Sequence, residues 1–409
     1  MQATIVPGIA QGTVLAPPSK SMAHRMLICA GLAHKSEPCI INGLEDSQDV
    51  LATIDCLNVL GAGISRYGTT AVVYGIDPIA IRANDVLPCR ECGSTLRFFV
   101  PLCMGLDVPL TLTGSETLMT RPMDVYEKIA AEQGLYYKKD ADGIHVQGPL
   151  RPGDFTVAGN ISSQFISGLL FLLPMLDDNS TIHLIPPVES RPYIDMTIEA
   201  LSIFGVKASW EDSNTLAIPG NQRYQDLMVR VEGDYSNAAF LEALNYVQPR
   251  NNVQVIGLRD NSLQGDSAYL ELFPQLAAGV PTIDLANCPD LGPVLMAVAA
   301  ANNGATFINA KRLAIKESNR GQAMAQELAK FGITVTISDD ADTVVVQSGT
   351  LSVPTQVLDG HNDHRIVMAL ATLATVTGGT IQGAQAINKS FPSYFDRLTR
   401  LGLTVHTED

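Results

Sequence analysis

Residues 19–33 read SKSMAHRMLICAGLA, and the way this stretch recurs along the chain decides the fold. It opens on hydroxyl residues, good helix caps, and runs on as a helix from about Ser21. Met22, Met26, Leu27, Cys29 and Ala30 make the face to be buried. The same pattern returns five times as CGSTLRFFVPLCMGL, ISSQFISGLLFLLPML, GDYSNAAFLEALNY, CPDLGPVLMAVAA and HNDHRIVMALATLA. With Ser21, Ser94, Ser163, Ser236, Asp290 and Asp363 as markers, successive spacings are 73, 69, 73, 54 and 73 residues. Self-similarity at a nearly even period marks a repeated supersecondary unit, longer here than a solenoid repeat.

Between the markers lie short runs of strand character, such as TLAIPG, LMVRVEG, ATFINA, ITVTIS and DTVVVQSG. Amphipathic helices alternate with them, among them DVLATIDCLNVLGAGIS, RPYIDMTIEALSIFGV and RGQAMAQELAKFGI, several closed by a glycine before the next strand. Each period therefore holds strand, helix, strand, helix and further strand, an α/β architecture. Six periods divide into three and three, with the division near VRVEGDYSN, around residue 231.

The chain has 409 residues, 46% of them hydrophobic and only 17% charged, which suits two domains with much buried surface. A net charge of −15 argues against nucleic acid or an anionic membrane as partner. Seven scattered cysteines do not read as a disulfide framework. The opening MQATIVPGIAQG lacks a basic then apolar leader, and FISGLLFLLPML at 165–176 is too short to span a bilayer. The expectation is a soluble, cytoplasmic protein, monomeric in view of its acidic surface.

Against this acidic background Lys20, His24 and Arg25 crowd the first turn of the first helix. A helix N-terminus carries about half a positive charge, so acids belong there and bases are unfavourable. Bases at that end make sense if anionic ligands are to sit among them.

In order along the chain, PPSKSMAHR, CGSTLR, TGSETLMTRPM, ISSQFISGLL, VESRPYIDMT, EGDYSNAAFL, CPDLGP, IKESNR, DGHNDHR and NKSFPSYF resemble the 5-enolpyruvylshikimate-3-phosphate synthase family. The resemblance implies a two-domain inside-out α/β barrel, with three βαβαββ units per domain and the active site in the interdomain cleft. The first domain would span 19–231, and 1–18 would complete a second domain made mostly of 232–409. The implied reaction moves the enolpyruvyl group of phosphoenolpyruvate to the 5-hydroxyl of shikimate 3-phosphate and releases phosphate. It needs no metal or other cofactor.

By position in the matching motifs, shikimate 3-phosphate would be bound by Lys20, Ser21, Arg25, Ser162, Ser163, Gln164, Ser190, Tyr193, Asp290 and Lys316. Phosphoenolpyruvate would be bound by Lys20, Gly93, Ser94, Arg121, Gln164, Arg320, Arg365 and Lys389, the arginines through bidentate pairs. Gly93, lacking a Cβ, would let the loop backbone approach a ligand closely. The catalytic groups would be Lys20, Asp290 as base toward the hydroxyl, and Glu317 as proton donor to the methylene. A donor carboxyl is expected to be desolvated so that it can hold its proton. Glu91 beside the Gly93 loop, Asn319 in IKESNR and Arg312 depart from common family residues and bear on affinity, including that for glyphosate.

Read without the resemblance, several of these residues are ordinary. Asp290 is a plausible N-cap, and Ser318 would cap the helix that follows IKESNR. His361 and His364 in HNDHR lack further ligands nearby, and Cys89 and Cys92 have no second CxxC, so no metal site is expected. No dinucleotide fingerprint or P-loop occurs. The related UDP-N-acetylglucosamine enolpyruvyl transferases open on a GAKNA-type motif and use a loop cysteine, whereas Cys103 here falls in an apolar helix. A catalytically silent anion-binding protein on the same scaffold would be expected to lack Lys20, Asp290 or Glu317, and all three are present.

Overall fold

The computed structural model describes residues 1–34 and 36–408. It comprises two compact units, Lys20–Glu232 and Met1–Ser19 joined with Gly233–Asp409, each with its own hydrophobic core. The six repeated stretches become helices α1 (Lys20–Leu32), α2 (Gly93–Met104), α3 (Ser163–Leu172), α4 (Tyr235–Glu242), α5 (Gly292–Ala301) and α6 (His364–Thr377). These helices are buried on all sides, as helices without a polar face must be. In α2 only Ser94 escapes burial, and in α3 only Gln164.

In the Lys20–Glu232 unit three four-stranded sheets surround α1, α2 and α3. Their strand orders are 228–230, 39–42, 70–74, 63–67; then 86–88, 110–113, 144–147, 136–139; then 154–158, 180–185, 215–218, 209–210. In each sheet the first two strands are parallel and the remaining pairings antiparallel, the outcome of a βαβαββ chain order. The first sheet takes its leading strand, Met228–Arg230, from the far end of the unit. Strand burial alternates, as in eBeBi over Asp154–Ala158, so one face packs on the helices and the other meets solvent.

The other unit repeats the plan with one omission. Strand Gln2–Val6 closes a sheet with Gly379–Gln382 and Thr404–Glu408, so the chain's start completes its last repeat. The fourth repeat keeps only Gln11–Leu15 paired with Asn252–Ile256, and after helix Tyr269–Ala278 the chain passes directly to Thr282–Asp284 of the next sheet. Its missing hairpin explains the spacing of 54 where 73 is usual.

The inner helices meet closely. A Cβ on Gly168 would overlap Tyr126 Oη and lie 2.5 Å from the Arg97 carbonyl oxygen. That tyrosine donates to Arg97 O at 2.7 Å and Phe165 O at 3.0 Å, joining α2 to α3. Among the described residues no helix is long and apolar enough to cross a membrane.

Candidate active site

None of α1 to α6 carries an acid in its first turn. Where the cap is also uncharged, as at α2 and α3, the positive end is not offset locally, an arrangement that favours anions. Four begin on a side-chain cap: Cys92 accepts from Thr95 N, Ser162 from Gln164 N, Asp234 from Asn237 N and Asp363 from Arg365 N.

In the Lys20–Glu232 unit the three bases of α1 are accommodated in three ways. Lys20 Nζ pairs with Asp49 Oδ2 at 2.7 Å. His24 is buried, with Nδ1 at 2.7 Å from Thr53 Oγ1; desolvation first, then Lys20 and Arg25, hold its pKa well below the usual value, so the ring is neutral. Arg25 is buried among neutral acceptors, donating to Thr197 Oγ1 (2.9 Å), Ser21 O (2.7 Å) and Tyr193 O (2.8 Å). Burial without a carboxylate lowers its pKa to about 10, which leaves it cationic at neutral pH. The sequence suggested bases whose cost only ligands would offset; for Lys20 an internal carboxylate already offsets part of it.

Ser94 and Gln164, the two residues not buried in their helices, contact each other: Gln164 Nε2 donates to Ser94 Oγ at 2.8 Å. Gln164 Oε1 accepts from Arg97 Nη1 at 2.7 Å, and this guanidinium lies over the Phe165 ring. The space beside Gly93 belongs to Arg121, whose Nη1 would be 2.5 Å from any Cβ there. Glycine at 93 thus makes room for a protein cation, a reason the sequence did not disclose. Ser190 starts helix Arg191–Ile203 at φ 54°, a left-handed conformation uncommon for serine, and its carbonyl accepts from Tyr193 N. Ser163 is buried at the start of α3, one residue after the Ser162 cap.

In the other unit the candidate residues form one charge cluster. Asp290 Oδ1 accepts from Arg320 Nη1 at 2.8 Å and faces Lys316 Nζ at 3.1 Å, while Oδ2 lies 3.3 Å from Arg365 Nη2. Burial alone would raise its pKa, but Arg365, Lys316 and Arg320 together hold it well below the carboxylate range. Asp290 caps no helix; its side chain belongs to the cations. Burial lowers the pKa of Lys316, with Asp290 opposing. Arg320 is 1% exposed and distributes its donors over Asp290, Glu317 Oε2 (2.6 Å) and Asp363 Oδ2 (2.8 Å). Despite desolvation, those carboxylates raise its pKa. Lys316, Arg320 and Arg365 thus meet the carboxylates of Asp290, Glu317 and Asp363. In this arrangement Glu317 has a cation at 2.6 Å.

Arg365 also reaches Ser236 Oγ, which donates to Asp266. Lys389 Nζ donates at 2.6 Å to the carbonyl of Asn362, one of two consecutive left-handed residues with His361. The cap expected of Ser318 comes instead from Asn319, which accepts from Gln322 N, while Ser318 donates to Asp363. Arg312 is buried, with Nη1 toward Ala286 O. His361 turns to Glu327 at 3.1 Å, whereas His364 is buried beside Asp363.

Sequence reasoning gave no role to Asp49, Arg97, Thr197 or Asp363. Asp49 sits in the first turn of helix Gln48–Val59, where an acid is unremarkable, so it carried no local signal. Arg97 could have been noticed as a cation inside an apolar run, three residues after Ser94.

The chain matches the profile of the family described as EPSP synthase (3-phosphoshikimate 1-carboxyvinyltransferase) over residues 7–281 and 274–398. It is 38% identical to a 3-phosphoshikimate 1-carboxyvinyltransferase of Clostridium beijerinckii and 36% identical to that of Clostridium novyi, covering 97% of each chain in both pairs. A solved EPSP synthase structure from Acinetobacter baumannii superimposes with a TM-score of 0.80 at 21% identity over 100% of both chains, a likeness of fold.

Proposed function

We propose that this chain, which belongs to the EPSP synthase family, transfers the carboxyvinyl group of phosphoenolpyruvate to the 5-hydroxyl of shikimate 3-phosphate, releasing phosphate. On this reading it serves aromatic amino acid biosynthesis, and we propose that it acts in the cytoplasm as a monomer. The observation that carries the reading is Asp290 held under Arg320, Lys316 and Arg365, with Glu317 on the same arginine. The two substrates together carry two phosphates and two carboxylates. Cations now shared with Asp49, Asp290 and Glu317 are the groups to which such anions would turn.

Shikimate 3-phosphate is assigned to Lys20, Ser21, Arg25, Ser162, Ser163, Gln164, Ser190, Tyr193, Asp290 and Lys316. Phosphoenolpyruvate is assigned to Lys20, Gly93, Ser94, Arg121, Gln164, Arg320, Arg365 and Lys389. Asp290 accepts the proton of the 5-hydroxyl and Glu317 delivers one to the methylene carbon. A base matched by three cations is weak, since proton transfer is efficient only when the catalytic pKa lies near the working pH. Substrate anions that draw Arg365 and Lys316 toward themselves raise the basicity of Asp290 as they bind, and phosphoenolpyruvate drawing on Arg320 loosens Glu317 from it. Lys20 and the arginines contribute preorganised positive charge.

The test is phosphate release from phosphoenolpyruvate with shikimate 3-phosphate as acceptor, in the native chain and in Asp290→Asn and Glu317→Gln. Both variants should lose about 10²–10⁴-fold in kcat. Full activity in Glu317→Gln contradicts its role as donor. Turnover with UDP-N-acetylglucosamine alone, or no turnover with either acceptor, overturns the assignment.

A further inference from the structure

Three side chains given no part in the reaction converge beside the first turn of α1. His24 comes from α1, Asp49 from helix Gln48–Val59, and Cys92 from the cap of α2. One donor atom of each lies within 4.8 Å of the others, and all three residues are buried. His24 Nε2 and Cys92 Sγ are 3.8 Å apart. A tetrahedral zinc ion, with bonds of about 2.3 Å to sulfur and 2.0 Å to nitrogen, sets those two ligands roughly 3.5 Å apart. For this pair a shift of a few tenths of an ångström is enough, and the Asp49 carboxylate, within 4.8 Å of both, would close by up to about 1 Å.

The imidazole is already oriented for such a task. Its Nδ1 meets Thr53 Oγ1 at 2.7 Å, and Thr53 in turn meets Thr95 Oγ1 at 2.8 Å. This kind of contact fixes the ring of metal-bound histidines and leaves Nε2 for the ion. The neutral ring is also the ligand form. Asp49 accepts Lys20 on Oδ2, and Oδ1 makes no hydrogen bond among the described residues. Cys92 is a thiol, its pKa raised to about 12 by burial, so an ion must displace its proton.

We propose that His24, Asp49 and Cys92 form a binding site for a borderline-soft divalent cation of the zinc class, and that occupation inhibits the enzyme because Asp49, once on the metal, no longer holds the Lys20 ammonium in its place at the start of α1. On binding, the Cys92 S–H bond breaks, the proton passes to solvent and a sulfur–metal bond forms, with no change of oxidation state. Thiolate and carboxylate balance the two positive charges of the ion, and water completes the coordination. Lys20 keeps its charge but loses its contact with the Asp49 carboxylate. A sulfur and imidazole donor set selects zinc or cadmium over magnesium or calcium. The binding arm of the proposal is independent of the reaction assigned above, because it is read without turnover.

The test titrates chelator-treated protein with Co²⁺, then with Zn²⁺ in competition. One Co²⁺ per chain should bind with a near-ultraviolet thiolate-to-metal band that Zn²⁺ or EDTA abolishes. Cys92→Ser retains an oxygen to cap Thr95 N, and His24→Asn retains a polar group toward Thr53. Each should remove the band or weaken metal binding by about 10-fold or more, with a thermal midpoint showing that the variant is folded. Zn²⁺ should also suppress phosphate release by the native chain, reversibly with EDTA, and Cys92→Ser should resist it. Failure of the native chain to bind Co²⁺, or affinity and band unchanged in both folded variants, overturns the site. Stoichiometric binding without inhibition overturns the Lys20 mechanism.

Discussion

In Asp363→Ala the Arg320 guanidinium loses one of its three carboxylates. Asp363 is 0% exposed and Arg320 is 1% exposed, so water cannot replace what is removed. Asp363 also accepts from Ser318 Oγ at 3.1 Å and from Arg365 N at 2.9 Å, the start of α6. Breaking a buried ion pair costs about 3–5 kcal/mol, and loss of a helix cap about 1 kcal/mol. The two effects overlap in one side chain, and Asp290 and Glu317 still face the cation, so about 3 kcal/mol is the expected total. For a unit of about 200 residues each kcal/mol moves the melting point by about 2–4 °C, giving a fall of roughly 6–12 °C. Calorimetry of Asp363→Ala beside Asp363→Asn separates the causes, because the amide can still cap α6 but brings no charge. The asparagine variant should recover only the smaller, capping part. A melting point for Asp363→Ala within about 3 °C of the native value would refute the reasoning.

Gly93→Ala should displace the Arg121 guanidinium, since the new methyl would lie 2.5 Å from Nη1. A lost charge-assisted hydrogen bond of about 1.5–3 kcal/mol predicts a KM for phosphoenolpyruvate at least roughly 10-fold higher, with little change in melting point, because a flexible side-chain end gives way. Gly168→Ala should behave oppositely. Its methyl meets Tyr126 Oη and the Arg97 carbonyl, which cannot yield, so about 1–3 kcal/mol of stability should go; a neutral result would mean that α2 and α3 can separate freely. His361 has its pKa raised, chiefly by its hydrogen bond to Glu327, with burial opposing. A base raised on folding contributes stability that is full below its unfolded value of about 6.5 and disappears as pH climbs through the folded value. His361→Asn should therefore reduce the decline of melting point across that interval above pH ~6.5, and an unchanged pH profile would exclude the contribution.

The sequence by itself determined the repeat and therefore the architecture. Capped apolar helices at nearly even spacing are local signals, and a helix with no polar side can only lie inside a shell of sheets. The exception was not visible: three full βαβαββ units were expected in each domain, and only the structure shows that the interval of 54 residues before Asp290 reflects a hairpin absent from the fourth repeat. The candidate ligand residues came from the resemblance of whole motifs, since a capping hydroxyl or a loop glycine taken alone reads as an ordinary helix start. Only the tertiary structure decided how their charges are matched. Lys20 meets Asp49 across 29 residues, Arg320 meets Asp363 across 43, and Asp290 meets Arg365 across 75. Ion pairs and donor clusters obey distance in space, and separation along the chain does not encode it. The partner of Lys20, the three carboxylates on Arg320, and the meeting of His24, Asp49 and Cys92 therefore emerge only when α1, α2 and the outer helices have packed.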